Sequence, residues 1–541
     1  MPDTKADLVV RAAAVHTLAE PQPPTTALAV HEGRIVATAT RADEADLLRD
    51  WTGPDTTVLD DPGLVVLPGF VDTHCHLMLA ARSVFGVPVS QARDLADVVE
   101  AIRQRAARTP AGQWIVTAAN WHEHQLAEHR LPNALELDQA TTDHPVLVLR
   151  GGHNGVVNSA GLRLAGIDRD TPDAPGGFIA RDAAGNPTGW LQDSAMGPVM
   201  KVLPHTPPDV LADGMVATSE IFAAHGLTTV RDPAVTPQEW QVYLDIAAKG
   251  RLKVRSKPMI MSTPAAISGA GSMTAYLDQL EAADIRQGAG TGLLRLWGLK
   301  FILDGGVEAA ALSAPYPNRP DYLGELLWEP ADLTEALATC VRRGWPVGTH
   351  AFGDRAIGVL LDAIRAVADL EGPLRPDALV VEHGGLISAD QIAEAAALGV
   401  HITVQHPLLA GLAGPLVEAW GQERAAALFP LRELLDGGAW ISAGTDHPIG
   451  PLDPLAGVHG MTTRTTPAGA LGPEHAITRI EALRLYSLAG THFLDQHAET
   501  ALAPGAPADF VVYPTDPLTC PIDDLLTLKP SRTVVNGTIA H

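Results

Sequence analysis

Two histidines one residue apart, His74 and His76, close the apolar run "LVVLPGFVDTHCH" (64–76). Successive residues of a strand face opposite sides, so both imidazoles share one face while Cys75 points away. An HxH pair alone is weak evidence, because a strand-end histidine is more often hydrogen-bonded scaffolding than a ligand. Four more polar residues close apolar runs downstream. They are Lys300 in "LRLWGLKFILDG" (294–305), His350 in "PVGTHAFG" (346–353), His383 in "ALVVEHGG" (378–385) and Asp446 in "WISAGTDHP" (440–448). Histidines with a carboxylate are borderline-hard donors. They suit Zn²⁺ first, with Mn²⁺, Fe²⁺ or Co²⁺ as alternatives.

Such residues act together only if a scaffold brings the run ends to one place. Adding "GLTTVRDP" (226–233), "LKVRSKPMI" (252–260) and "HITVQHP" (401–407) makes eight strand candidates, most followed by helical patterns such as 354–370 and 387–399. Eight alternating units predict an α/β fold, a (β/α)8 TIM-like barrel. Its strands' C-terminal ends face one mouth, where all six residues would meet. About 140 residues separate the first strand from the second, too many for a loop. They contain the helical "LADVVEAIRQRAAR" and the strand runs "QWIVTAA" and "HPVLVLR". An α/β insertion after strand 1, residues 82–215, is expected to cover the mouth as a lid. Strand patterns at both ends, including an Asn-Gly hairpin signal in "SRTVVNGTIAH", predict a small β-sandwich domain from residues 1–63 and 500–541. The barrel would then take 64–81 and 216–499.

The chain has 541 residues, 38 basic against 63 acidic, and a net charge of −25. Nucleic acid and anionic membrane are poor partners for such a surface, and a small-molecule substrate is the expected one. Three scattered cysteines do not suggest a disulfide framework. The absence of a signal-peptide pattern or a long apolar run makes a soluble cytoplasmic protein the default.

"PGFVDTHCH", the strand-end His350 and His383, and "GTD" (444–446) resemble the amidohydrolase superfamily. Within it the likeness is to the amidohydrolase-3 branch, which includes N-substituted formamide deformylases. "GHNGVVNSAGLRLAGI" (152–167), "HGLTTVRDP" (225–233), "HAFGDRAI" (350–357) and "VEHGGLIS" (381–388) extend the likeness over nearly the whole chain. The resemblance implies a metal-dependent hydrolase of carbon–nitrogen bonds other than peptide bonds. It implies that His74 and His76 bind one metal with Asp446, and that His350 and His383 bind a second. It implies that Lys300, once carboxylated by CO₂, bridges the two; with a plain lysine a single ion is expected. Asp446 would serve as general base and acid toward a metal-activated hydroxide. A homodimer is also implied, without a surface argument for it.

The same likeness places His153 and Asn154 near the substrate carbonyl. Trp121 is a candidate wall residue, although buried core packing is the simpler expectation for it. His447 should turn away from Asp446. Relatives read Asp-Gly-Ser-x-Gly-Ser-Arg after the lysine strand, whereas this chain reads "DGGVEAAAL" (304–312). Glu308 there would either recognise a cationic substrate group or lie solvated on a loop, the latter being the simpler expectation. Two other classes compete with the amidase. One is a mononuclear deaminase of an N-heterocycle, which needs no bridging lysine. The other is a non-catalytic barrel relative, which should have lost ligands that are all present here.

Overall fold

The computed structural model describes residues 4–19, 24–61, 63–152, 154–174, 177–494 and 502–541. Eight parallel strand positions follow one another in the order of the chain. Phe70–Asp72, Leu227–Val230 and Arg255–Ser256 form one ladder. Met259–Met261, Gly298–Ile302, Val347–Ala351, Leu379–His383, His401–Val404 and Trp440–Ala443 form another. The expected third strand is thus split in two, its halves pairing to either side. The Thr73 amide donates to the Ala443 carbonyl at 3.1 Å, which links the last strand back to the first. These strands are almost wholly buried, as parallel strands covered by helices on one side and packed residues on the other must be.

The helices between them follow the 3.6-residue period. Asp354–Glu371 buries Ile357, Leu360, Leu361, Ile364 and Val367 along one stripe. Ala389–Leu398 opens with a capping box between Ser388 and Gln391 and stops at Gly399, whose positive φ of 67° is the usual helix terminator.

Between the first and second barrel strands the chain builds a five-stranded sheet of its own. The order is Gly177–Arg181, Pro187–Asp193, Asn154–Val157, Val146–Arg150 and Ile115–Val116. Alternation sorts its residues. Val146 and Val148 pack with Val98 and Ile102 of helix Leu95–Ala106 on one face, and Leu147 packs with Leu162 and Val199 on the other.

Strands from both termini also pair. Leu8–Val15, Thr25–His31, Arg34–Thr40, Thr57–Asp60 and Val65–Pro68 join Phe510–Tyr513, Arg532–Val535 and Thr538–Ile539. Hydrogen bonds connect all eight as one sheet, not as the two separate sheets expected of a sandwich, because Val65–Pro68 pairs with both Leu8–Val15 and Phe510–Tyr513. The predicted Asn-Gly turn is present, with both Asn536 and Gly537 at positive φ.

One close approach inside the barrel has a direct consequence. A Cβ on Gly348 would lie 2.0 Å from Glu382 Oε1 on the adjacent strand. Gly348→Ala should therefore force the fifth and sixth strands apart and lower unfolding stability by about 1–3 kcal/mol. Urea denaturation checks this, and an unchanged midpoint would refute it.

Candidate metal centre

His74, His76, Lys300, His350, His383 and Asp446 all line one cavity of about 1540 Å³ between the strand ends and the inserted sheet. They arrive there less regularly than strand ends alone would predict. His383 closes its strand and His350 is the last residue but one of Val347–Ala351, but Lys300 lies in the middle of Gly298–Ile302. His74, His76 and Asp446 lie beyond their strands, on loops stitched together by the Asp446 amide donating to the His74 carbonyl at 2.8 Å. His383 and Asp446 sit at positive φ, 74° and 57°. Outside glycine that conformation costs about 1–3 kcal/mol and collects at functional sites.

Buried groups unnoticed in the sequence hold these donors. Glu382, fully buried, accepts from His74 Nδ1 at 2.5 Å and Thr403 Oγ1 at 2.7 Å, and from Arg231 Nη2. The first contact leaves His74 Nε2 as the outward donor. Arg231 is also buried, gives Nε–H to the Thr73 carbonyl at 2.8 Å, and lies over the rings of Trp297 and Phe493. Asp72 accepts from the amides of His74 and Thr445 and from the Thr445 hydroxyl, so one carboxylate ties the His74 loop to the Asp446 loop. Burial pushes Asp72 up to about 7, against those hydrogen bonds. Asp232 accepts from the Met78 amide and Tyr243 OH and so anchors the helix that begins after His76. Asp304 accepts from the amides of Ala311, Phe352 and Gly353 at 2.9 Å each, which fixes the loop after the lysine strand against His350's strand.

The donor set fits a cation. His74, His76 and Asp446 offer ligand atoms that all lie within 4.8 Å of one another. His76 Nε2 is 2.9 Å from Asp446 Oδ1 and His74 Nε2 is 3.6 Å from it, yet neither is aligned as a hydrogen bond to that oxygen. Lone pairs facing each other at that range suit a shared positive ion. The His383 ring lies 4.7 Å from that of His74 and 4.5 Å from that of His350. Among the described residues, Lys300 Nζ and His383 Nδ1 are buried without a hydrogen-bond partner. Burial, then the Lys300 charge, holds His74 well below the usual imidazole range. Burial and His350 do the same for His383. Both are therefore neutral donors, as metal ligation requires.

The expected substrate residues divide. His153 lies outside the described residues. Asn154 does not line the cavity. Its side-chain oxygen accepts from Trp190 Nε1 at 2.8 Å within the inserted sheet. Trp121 belongs to the insertion's apolar core and also reaches the cavity wall, with Nε1 donating to the Leu149 carbonyl. His447 lines the cavity too, against expectation, its ring edge-on to Phe222. Glu308 is not a solvated loop residue. It lines the cavity and accepts from Arg150 Nη2 of the insertion at 2.6 Å. Arg150 had no signal in the sequence beyond closing an apolar strand.

Parallel strands and the loops beyond them that gather four histidines, a lysine and an aspartate over one cavity define a metal-dependent hydrolase class. The chain belongs to the amidohydrolase family, whose model (Amidohydro_3) matches residues 57–541. It is 29% identical to an N-substituted formamide deformylase from Arthrobacter pascens over 99% of this chain and 98% of that one. It is 27% identical to the putative amidohydrolase YtcJ of Bacillus subtilis over 97% and 98%. Its fold matches that of an uncharacterised metal-dependent hydrolase from Pyrococcus furiosus with a TM-score of 0.73 at 23% identity, covering 95% of this chain and all of the other. No helix among the described residues is long and apolar enough to cross a membrane.

Two substitutions test the support beneath the donors. Glu382→Gln should weaken metal binding about 10–100-fold by releasing His74, as read by competition with a chromophoric chelator. Arg231→Met should leave Glu382 a buried, poorly compensated charge and cost about 3–5 kcal/mol in guanidinium unfolding. A metal affinity or an unfolding curve that does not move would count against the assigned role.

Proposed function

We propose that this hydrolase cleaves the carbon–nitrogen bond of a small N-substituted amide, with formamides the first class to test. The observation that carries the proposal is the placement of Asp446. One carboxylate oxygen faces two imidazole nitrogens, while the residue stays on the wall of a large cavity. The name of the Arthrobacter pascens relative, similar along nearly its whole length, supports the substrate class.

His74, His76 and Asp446 would hold one divalent ion, Zn²⁺ by the chemistry of the donors, and His350 and His383 a second. Such ions lower the pKa of a coordinated water and polarise a carbonyl. With Oδ1 committed among the imidazoles, Asp446 Oδ2 takes the proton from the attacking water and returns it to the leaving nitrogen. Departure as a neutral amine is what makes the C–N bond breakable. Burial pulls the Lys300 ammonium down to about 8, although Glu382 opposes it. A neutral amine is the form that adds to CO₂, forming an N–C bond and releasing a proton. The carbamate that results is an anionic ligand with two oxygens, suited to bridge. The insertion (82–215) acts as lid and the barrel (64–81, 216–499) as catalytic unit, except that the strand Val65–Pro68 belongs with the sheet of both ends (1–63, 500–541), which acts as scaffold.

Chelator-treated and Zn²⁺-restored protein should be compared on a panel of N-alkylformamides and small amides. Hydrolysis should vanish on stripping and return with metal. Asp446→Asn should lower kcat by about 10²–10⁴-fold. Metal analysis should give two ions per chain and mass spectrometry a carboxylated Lys300. One ion with an unmodified lysine would favour the mononuclear deaminase, and no hydrolysis from metal-loaded protein would refute the amidase.

A further inference from the structure

Away from the histidines, the cavity wall carries a second charged group. Arg150, on the insertion, is 92% covered (8% exposed). Its Nη2 donates to Glu308 Oε1 at 2.6 Å and to Glu123 Oε1 at 3.0 Å, and its Nε lies 2.9 Å from Glu123 Oε2. His122 completes the cluster, its ligand atom within 4.8 Å of those of Glu123 and Glu308. Burial, then the Arg150 charge, pushes His122 down to about 3, so it is uncharged at neutral pH. Burial would raise the Glu308 carboxyl, but the charge and hydrogen bond of Arg150 outweigh it and hold it below the usual carboxylate range. Two carboxylates thus share one guanidinium beside a neutral imidazole, and the cluster carries one more carboxylate than guanidinium. Glu308 is the carboxylate presented to the cavity, with its side chain 33% exposed against 9% for Arg150 and 13% for Glu123.

The loop that carries the carboxylate is pinned and starts beside the donor set. The Gly305 carbonyl lies 3.3 Å from His350 Nε2, and Glu308 follows three residues later, within about 11 Å along the chain. Asp304 receives the Ala311 amide, while the Val307 carbonyl accepts from both Tyr316 OH and Trp420 Nε1, so the loop is pinned on either side of Glu308. The other arginines of the lining differ. Arg82 is neutralised by Glu239, and Arg105 donates to the carbonyls of Phe85 and Gly86 at the exposed rim.

We propose that Glu308, backed by Arg150 and Glu123, selects substrates that carry an ammonium group at the far end of a short nitrogen substituent. The proposal rests on the amide-hydrolase reading above and adds the charge of the substrate to it. A cationic tail is repelled by the metal end of the cavity and attracted by this wall, so the same charge also orients the amide toward Asp446.

The test is a set of N-alkylformamides of matched length ending in an ammonium, a hydroxyl or a carboxylate. kcat/KM on the metal-loaded wild-type protein is the readout, and calorimetric Kd for the same compounds replaces it where turnover is absent. The ammonium compound should be preferred to the hydroxyl by about tenfold or more, with the carboxylate poorest. In Glu308→Gln that ratio should fall to near one, through KM rather than kcat. Equal values for all three compounds, or a preference for the carboxylate, would overturn the proposal. The wild-type panel alone decides this if the variant fails to fold. Hydrolysis of all three alike would keep the amidase and remove the charge selection. Ammonium-selective binding without hydrolysis would do the reverse.

Discussion

Glu382 has no exposed surface, yet it accepts from His74, Arg231 and Thr403, three groups on three different strands or their ends. A carboxylate so placed and left alone would cost several kcal/mol, so the fold must bring it partners or change its charge. Arg231 supplies most of the compensation, helped by Lys300, and together they hold Glu382 below the usual carboxylate range despite its burial. The guanidinium is in turn shielded by Trp297 and Phe493. Space for the carboxylate comes from Gly348, where any side chain would collide with it. The orientation of the His74 ring, and with it the donor geometry on the cavity side, depends on this buried charge.

The loops above the strands depend on a second buried carboxylate in a similar way. Asp72 joins the loop after the first strand to the loop after the eighth. That is where the ends of a barrel sequence meet, and where His74, His76 and Asp446 lie. Asp446 reaches its place through a positive φ, as does His383. The energy for those conformations comes from the hydrogen bonds that over-determine the loops, and a bound cation would add to it. Metal affinity and folding stability are therefore linked here, since the ligands are assembled only in the folded chain.

The eight-strand pattern was legible, and so was the meeting of the six polar residues at one cavity, because both follow from residue type and period. Apolar runs mark buried parallel strands, and although a single polar residue at a run's end is usually scaffolding, six of them on runs that share one mouth are not. The network beneath was not legible, for a physical reason. In "VEHGG" strict alternation puts Glu382 and His383 on opposite faces, yet His383, at positive φ, lines the cavity while Glu382 holds His74 beneath it. Asn154 does not line the cavity, because its side-chain oxygen accepts from Trp190 within the insertion, a contact its segment does not announce. Glu308 was undecided because its partner, Arg150, lies 158 residues away on another sheet. No local pattern reports a pairing of that range. The two sheets expected from the terminal strands became one because a single short strand, Val65–Pro68, pairs on both edges.

The cluster around Arg150 bears on why the insertion carries charge at all. Buried ion pairs seldom add stability that apolar side chains of the same volume would not, since desolvation offsets the attraction. Leu149 and Trp121 beside it show that apolar residues are readily accommodated on this wall. What the charged cluster adds is a fixed pattern on the wall: Glu308, on the loop after the lysine strand, is paired across to Arg150 of the insertion. A molecule in a cavity of this size meets too few shape constraints to be held in one orientation by packing alone. Separate charged groups on the cavity wall, as proposed for Glu308, would supply that constraint. They require one residue from the barrel loop and others from the insertion to be in register before the site is complete.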